Sequence, residues 1–246
     1  MLSDINLLEG GNIFKTAEGQ PATTRIGREN VVPTVQWLEQ LTGLNLVDNM
    51  LGSTGKNETS GDLDLGIDSE KISKDVLIQQ LLRKGIPQTD IRKTGDSVHL
   101  KTPILGDAAN GYVQTDFMFG HPEWQQFRYM GGNVGQFKGV HRAIMMASIA
   151  KALGYTFSNK DGLLNRETKD VVTTDPSEAA KLLIGGTVAD TASVDSIIKK
   201  IKDRPDYQQL VADARDAFEK ENLVLPENAP LPGTGAWYRS WKNRDI

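Results

Sequence analysis

Two carboxylates, Asp62 and Asp64, lie two positions apart in a strand-like segment. In an extended strand alternate side chains share one face, so this spacing predicts that both carboxylates point the same way, with Cα atoms roughly 7 Å apart. The apolar residues Leu63, Leu65 and Ile67 would then point into a core. Like charges at this separation repel, and a divalent cation that prefers oxygen ligands, Mg²⁺ or Mn²⁺, neutralises such a pair. The spacing therefore predicts a metal site, although an Asp-Leu-Asp segment also occurs on exposed strand edges.

A glycine- and serine-containing turn, Gly52-Ser53, precedes the two carboxylates. The run from this turn to Lys56 invites comparison with the phosphate-binding loop of pattern Gly-x-x-x-x-Gly-Lys-Ser/Thr. A Gly-Lys pair is present, but Met50 stands where the first glycine belongs and Asn57 stands where the hydroxyl belongs. The sequence therefore does not predict a loop of that type.

A third carboxylate, Asp116, lies in a later strand-like segment, residues 112–119. Alternation places Asp116 on one face with Gln114, opposite an apolar set. The order of a Gly-Ser turn, a short spacer, Asp-x-Asp and a distant third carboxylate resembles the polymerase-beta-like nucleotidyltransferase superfamily. The resemblance covers about residues 30–120, which is roughly the first half of the chain.

This resemblance implies an enzyme that transfers a nucleoside monophosphate from a nucleoside triphosphate, such as ATP, to an acceptor hydroxyl, with pyrophosphate leaving. It implies two divalent ions, Mg²⁺ or Mn²⁺, bridged by Asp62 and Asp64. Asp116 would hold the ion that lowers the pKa of the acceptor hydroxyl.

The resemblance also implies a phosphate-binding role for the Gly-Ser turn. Gly52 and Ser53 would hold the terminal phosphates through backbone N–H groups and a hydroxyl, because glycine allows close approach. Lys56 is a further candidate phosphate partner. Relatives of this core serve RNA ends, small alcohols such as antibiotics, and protein hydroxyls, and the fold alone does not choose among them.

Two clusters of basic residues favour RNA as the first candidate acceptor, and a protein is the next candidate. Lys138 and Arg142 lie one helical turn apart and could clamp a triphosphate or an acceptor backbone. The tail, residues 237–244, interleaves aromatic and basic side chains, a composition that stacks bases and binds phosphates. Alternatively, the pair is a solvated face and the tail is a strap anchored by tryptophans. A different class of function, an inactive nucleotide-binding or structural module, also stays open.

The hydrophobic pattern predicts an α+β fold with two parts. Residues 1–125 would form a small mixed-sheet nucleotidyltransferase core with flanking helices and an N-terminal extension, and residues 126–246 would form a helical C-terminal region. In the core we expect a helix over 30–43, a strand over 62–67, a helix capped by Ser73, a hairpin of 89–93 with 97–104, and a strand over 112–119. In the C-terminal region we expect helices over 136–153, 175–185, 193–202 and 205–222.

Composition sets wider bounds on the class of protein. The chain has 246 residues, 38% apolar content, a net charge of −4 and no cysteine. These values predict a globular protein without disulfides or thiolate metal sites, and they exclude a globally basic nucleic-acid coat. The N-terminus has no basic start, and no window approaches the ~20 apolar residues of a membrane span, so we expect a cytoplasmic protein without a membrane partner. The three histidines, His99, His121 and His141, lack metal-ligand spacing and are expected to be at the surface or hydrogen-bonded.

Overall fold

The structure, a computed structural model, describes residues 13–130 and 137–225 and the single residues Leu231, Gly233 and Gly235. The chain divides into two compact units, Met1–Gln126 and Phe127–Ile246. Among the described helices, none combines the length and the apolar character needed to cross a membrane.

A four-stranded mixed sheet and two helices build the first unit. Its elements in chain order are β1 (Ile26–Gly27), α1 (Arg28–Thr42), β2 (Thr59–Ser60), β3 (Asp62–Asp68), α2 (Lys74–Arg83), β4 (Ile91–Thr94), β5 (Ser97–Pro103) and β6 (Tyr112–Gly120). A further helix, α3 (Pro122–Arg128), includes the unit boundary between Gln126 and Phe127.

The order of strands in the main sheet is β3-β6-β5-β4. Strand β3 pairs in parallel with β6, while β5 pairs antiparallel with both β6 and β4. The sheet is therefore mixed, which confirms the predicted fold class of the core. Strand β1 pairs antiparallel with β2, which lies at the end of the segment that joins α1 to β3.

Alternation along the strands separates a core face from a polar face. In β3 the buried residues Leu63 and Leu65 alternate with the partly exposed Asp62 and Asp64. The apolar faces of the strands join the apolar faces of the two helices in one core, whose central members are Val35, Leu38, Leu63, Leu65, Leu77, Leu81, Leu100 and Phe117. The carboxylates Asp62, Asp64 and Asp116 lie on the opposite, polar face of the sheet.

The helix ends follow the local signals in the sequence. Gly43 ends α1 in the left-handed region, with φ of 73°, and its N–H donates to the Glu39 carbonyl. Ser73 caps α2 by accepting a hydrogen bond from the Val76 N–H. The expected strand over 89–93 begins only at Ile91, because residues 88–90 form a 3-10 turn.

The second unit contains four helices and a small sheet within the described residues. Its elements are α4 (Gly139–Ala152), β7 (Tyr155–Phe157), β8 (Leu163–Asn165), β9 (Val171–Thr173), α5 (Pro176–Ile184), α6 (Val194–Ile201) and α7 (Tyr207–Lys220). The four helices confirm the helical character expected for this region. The antiparallel sheet β7-β8-β9 was not predicted, because each strand has only three residues and shows too little alternation to detect.

Candidate metal and nucleotide site

Three carboxylates converge on the polar face of the main sheet. The parallel pairing of β3 with β6 sets Asp64 directly opposite Asp116, and Asp62 directly opposite Gln114. One ligand oxygen from each of Asp62, Asp64 and Asp116 lies within 4.8 Å of the others. The strand register thus gathers three acidic groups whose outermost members, Asp62 and Asp116, are 54 residues apart in the sequence.

The environment of these carboxylates disfavours their charged forms. Burial raises the pKa of Asp64 well above its ordinary value, and the neighbouring carboxylates Asp62 and Asp116 raise it further. Burial and then Asp116 also raise the pKa of Asp62, while the nearby Arg25 acts in the opposite direction. A group of this kind is stabilised in its ionised form by a cation at its centre.

The donor set fits a hard divalent cation. All three donors are carboxylate oxygens, which are the ligands that Mg²⁺ and Mn²⁺ prefer, and their mutual distances allow shared coordination. Arg25 opposes the rise in the pKa of Asp62, but burial and the charge of Asp116 outweigh it. Asp62, Asp64 and Asp116 could therefore hold a metal ion together.

The Gly-Ser turn lies against the central carboxylate residue. The Leu51 N–H donates to the Asp64 carbonyl, and the Asp64 N–H donates to Thr54 Oγ1 at 3.0 Å. Gly52 has a φ of 58°, and a Cβ atom at this position would lie 3.6 Å from Asp64 Oδ2. Glycine is favoured here because L residues rarely adopt this backbone conformation. Ser53, the next residue, is exposed.

Lys56 and two arginines hold the same loop. Lys56 Nζ donates to the Gly52 carbonyl at 2.7 Å, so its ammonium group lies over the turn. Arg28 donates to the Asn57 and Lys56 carbonyls, and Arg25 donates to the hydroxyl and carbonyl oxygens of Thr59. These hydrogen bonds show that the two arginines brace the loop between the Gly-Ser turn and β3.

Sequence reasoning missed the partner of the third carboxylate. His99 Nδ1 lies 2.7 Å from Asp116 Oδ1, on the neighbouring strand β5. Gln114 Nε2 donates to the same oxygen at 3.0 Å. The shared face of Gln114 and Asp116 follows from alternation within one strand, but the position of His99 depends on strand pairing that no local pattern reveals.

Lys138 and Arg142 do not form the exposed phosphate clamp that their spacing predicts. Both residues belong to the second unit, and Lys138 is exposed at the start of α4. Arg142 is only 1% exposed, and its guanidinium donates to the carbonyls of Phe127, Arg128 and Thr191. Its donors are therefore occupied inside the protein. The aromatic and basic tail, residues 237–244, lies outside the described residues.

Comparison with known proteins gives distant structural similarity but no match at the level of sequence. The sequence matches no family model and no curated protein. Among solved structures, the chain is similar to Leishmania infantum polymerase beta in a ternary P/T complex, with 12% sequence identity and a TM-score of 0.40. The similarity covers 86% of this chain and 78% of that chain. A likeness this distant carries no functional conclusion, so the function is argued from the carboxylate geometry.

Proposed function

We propose that this chain is a metal-dependent nucleotidyltransferase. In the proposed reaction an acceptor hydroxyl loses its proton to solvent, and its oxygen forms a bond with the α-phosphorus of a nucleoside triphosphate. The bond from that phosphorus to the oxygen bridging to the β-phosphate breaks, and pyrophosphate leaves with the electron pair. The observation that supports this proposal is the gathering of Asp62, Asp64 and Asp116 on two adjacent parallel strands beside the Gly-Ser turn.

The carboxylates would hold two divalent cations, Mg²⁺ or Mn²⁺. Asp62 and Asp64 would share both ions, and Asp116 would hold the one on the acceptor side. Such ions neutralise charge on the phosphate oxygens and lower the pKa of a bound hydroxyl when present. The raised pKa values of Asp62 and Asp64 support these roles, because the ionised cluster requires compensation from a cation.

The loop 51–56 would bind the terminal phosphates. Gly52 and Ser53 would offer backbone N–H groups and one hydroxyl, and the positive φ of Gly52 suits the concave backbone that anions prefer. Lys56 Nζ, which lies at the Gly52 carbonyl, would add positive charge close to those phosphates. Binding here would orient the triphosphate relative to the carboxylates.

An RNA end is the first acceptor to test. Arg142 no longer supports this choice because its guanidinium is buried, so the support rests on Lys138 and on the composition of the tail. The assay therefore includes the other acceptors directly. Protein hydroxyls and small alcohols are its alternative outcomes.

The test measures pyrophosphate release and label transfer by the full chain. Each α-³²P-labelled nucleoside triphosphate is supplied with Mg²⁺ or Mn²⁺, with and without total RNA, and the label is followed into RNA, polypeptide or small molecules. Asp62→Asn and Asp116→Asn should each reduce transfer by several orders of magnitude, because each removes an anionic ligand.

Asp68→Asn provides the matched control. Asp68 lies on the same strand and face as Asp62 and Asp64, about 13 Å from Asp64 along the strand, and its Oδ1 accepts from the Glu70 N–H, which asparagine can also do. This variant should transfer at the wild-type rate. Wild-type transfer by Asp62→Asn, or no transfer by the wild-type chain with any triphosphate and acceptor, would refute the proposed function.

A further inference from the structure

The third carboxylate is held by two side chains that the proposed reaction does not use. His99 Nδ1 lies 2.7 Å from Asp116 Oδ1. Gln114 Nε2 lies 3.0 Å from Oδ1 and 3.3 Å from Oδ2 of the same carboxylate. The two shorter contacts converge on Oδ1, so Oδ2 is the oxygen with more capacity for another partner.

Strand pairing keeps His99 at this carboxylate. The register of β5 with β6 sets His99 directly opposite Asp116, and the side chains are only 12% and 15% exposed, respectively. On the far side of the ring, Thr94 Oγ1 lies 2.6 Å from His99 Nε2. Thr94 belongs to β4, so a continuous set of hydrogen bonds runs across three strands, from Thr94 through His99 to Asp116.

The hydrogen-bond partners define the tautomer of His99. An ionised carboxylate can only accept, so the contact with Asp116 requires a proton on Nδ1. In the neutral ring Nε2 then accepts from the Thr94 hydroxyl. The ring is thus held at both nitrogens.

Gln114 is fixed in a similar manner. It is 3% exposed, and its Oε1 accepts from the Ile13 N–H at 3.0 Å. This contact orients the amide so that Nε2 points at Asp116. Two independently anchored donors therefore fix one oxygen of the third carboxylate.

We propose that His99 is a positioning residue of the metal centre. By donating to Asp116 Oδ1, it fixes the rotation of the carboxylate and leaves Oδ2 to bind a divalent cation. The inference rests on one part of the proposed function, namely that the carboxylates bind such a cation. Partners that orient metal ligands typically change metal affinity by about 10- to 100-fold when they are removed.

The test measures Mn²⁺ affinity of the full chain by electron paramagnetic resonance of the free ion. His99→Leu removes both ring nitrogens and should weaken Mn²⁺ binding by about 10- to 100-fold. His99→Asn keeps an N–H donor near the position of Nδ1 and should recover most of that loss. Thr94→Val removes the hydroxyl at Nε2 and should give an intermediate loss.

Lys93→Gln is the control, because Lys93 lies next to Thr94 on β4. Lys93 pairs with Asp75 at the surface, and the side chains of this pair are 45% and 77% exposed. Its replacement should leave Mn²⁺ affinity unchanged. Unfolding in EDTA is measured for every variant, so that a loss of affinity without a matching loss of stability identifies positioning rather than a structural role.

Nitrogen NMR of the metal-free wild-type chain at pH 8 tests the inference without any variant. The ¹⁵N shifts of His99 should show a protonated Nδ1, as donation to Asp116 requires, and an unprotonated Nδ1 would overturn the inference. Wild-type Mn²⁺ affinity in folded His99→Leu, or no recovery in folded His99→Asn, would also overturn it.

The same measurements separate this inference from the proposed reaction. Mn²⁺ binding that weakens in His99→Leu, in a chain that transfers no nucleotide to any acceptor, would refute the transferase function and leave the positioning role intact. Absence of Mn²⁺ binding by the wild-type chain would refute both.

Discussion

Asp64 lies directly opposite Asp116 in the parallel pairing of β3 with β6, and burial combined with the charge of its neighbours raises the pKa of Asp64 well above its ordinary value. At pH values between the ordinary pKa of an aspartate and the raised pKa of Asp64, the folded protein binds more protons than the unfolded chain. The free energy of unfolding in the absence of metal therefore decreases as the pH rises through that window. The carboxylate cluster thus destabilises the metal-free protein at neutral pH.

Asp64→Asn should consequently make the metal-free protein more stable at pH 8. The difference from wild type should shrink as the pH falls towards 4, because Asp64 of the wild type then becomes neutral. Urea unfolding in EDTA at several pH values measures this effect. Addition of Mn²⁺ should stabilise the wild type but not the variant.

The matched control for this prediction is again Asp68→Asn, which changes an aspartate outside the cluster on the same strand. It should retain the wild-type pH dependence and the wild-type response to Mn²⁺. An Asp64→Asn protein that is less stable than wild type in EDTA at pH 8 would show that Asp64 has a structural role instead.

Gly52→Ala should weaken ligand binding at the loop in a protein that still folds. Gly52 has a φ of 58°, so a side chain there costs about 1–2 kcal/mol of backbone strain and shifts the turn beside Asp64. We expect weaker binding of Mn²⁺ and of a non-hydrolysable triphosphate analogue, measured by calorimetry.

Gly85→Ala separates strain from a specific effect at the loop. Gly85 has a φ of 86°, and an added Cβ would meet nothing within 4 Å, so this variant carries backbone strain away from the carboxylates. The two variants should lose similar stability, but only Gly52→Ala should lose affinity. If Gly52→Ala and Gly85→Ala bind Mn²⁺ and the triphosphate analogue with equal affinity, the turn has no specific role in phosphate binding.

His141 should make the stability of the second unit depend on pH. Burial lowers the pKa of this imidazole, whose Nδ1 accepts from the Lys138 N–H and whose Nε2 lies 3.0 Å from the Val224 carbonyl. Because the unfolded chain takes up the proton at a higher pH, the contribution of His141 is complete above about pH 6.5. It is lost as the pH falls through the lowered pKa.

His141→Phe isolates this contribution, since it keeps an aromatic ring against Phe137 and Phe218 but cannot titrate. The free energy of unfolding of the wild type should fall more steeply than that of the variant between pH 7 and pH 5. Parallel curves for the two proteins would contradict the prediction. Carboxylates elsewhere titrate in both proteins, so their effect cancels in the comparison.

Two buried arginines of the second unit should respond differently to replacement by methionine. Burial lowers the pKa of Arg142 to about 9, with a further contribution from Arg128, yet Arg142 makes several hydrogen bonds to backbone carbonyls. Arg128 is 4% exposed, and its Nε and Nη1 atoms have no hydrogen-bond partner among the described residues.

Arg142→Met should therefore destabilise the unit by about 1–3 kcal/mol for each buried carbonyl left unpaired. Arg128→Met removes a buried cation without such bonds and should be close to neutral or stabilising. Thermal and urea unfolding of the two variants give the comparison. The Arg128 guanidinium lies over the Tyr129 and Phe157 rings, so a larger loss in Arg128→Met than in Arg142→Met would show that these aromatic contacts outweigh the hydrogen bonds of Arg142.

The sequence alone determined the local arrangement of the candidate site. The period of two in β3 placed Asp62 and Asp64 on one face, and the same period in β6 placed Asp116 beside Gln114. Ser73 and Gly43 marked helix ends through their own side-chain and backbone chemistry. These features depend on residues only a few positions apart, so the sequence contains them directly.

The pairing of the strands and the burial of the Arg142 side chain follow from tertiary packing and could not be predicted from the sequence. The register that sets His99 and Asp64 on either side of Asp116 comes from packing of the whole sheet against α1 and α2. Arg142 resembled a surface residue, but α4 is buried at six consecutive positions, 141–146, and its partners include Thr191, which lies 49 residues away. Contacts over such separations depend on the packing of the folded chain, which no local pattern encodes.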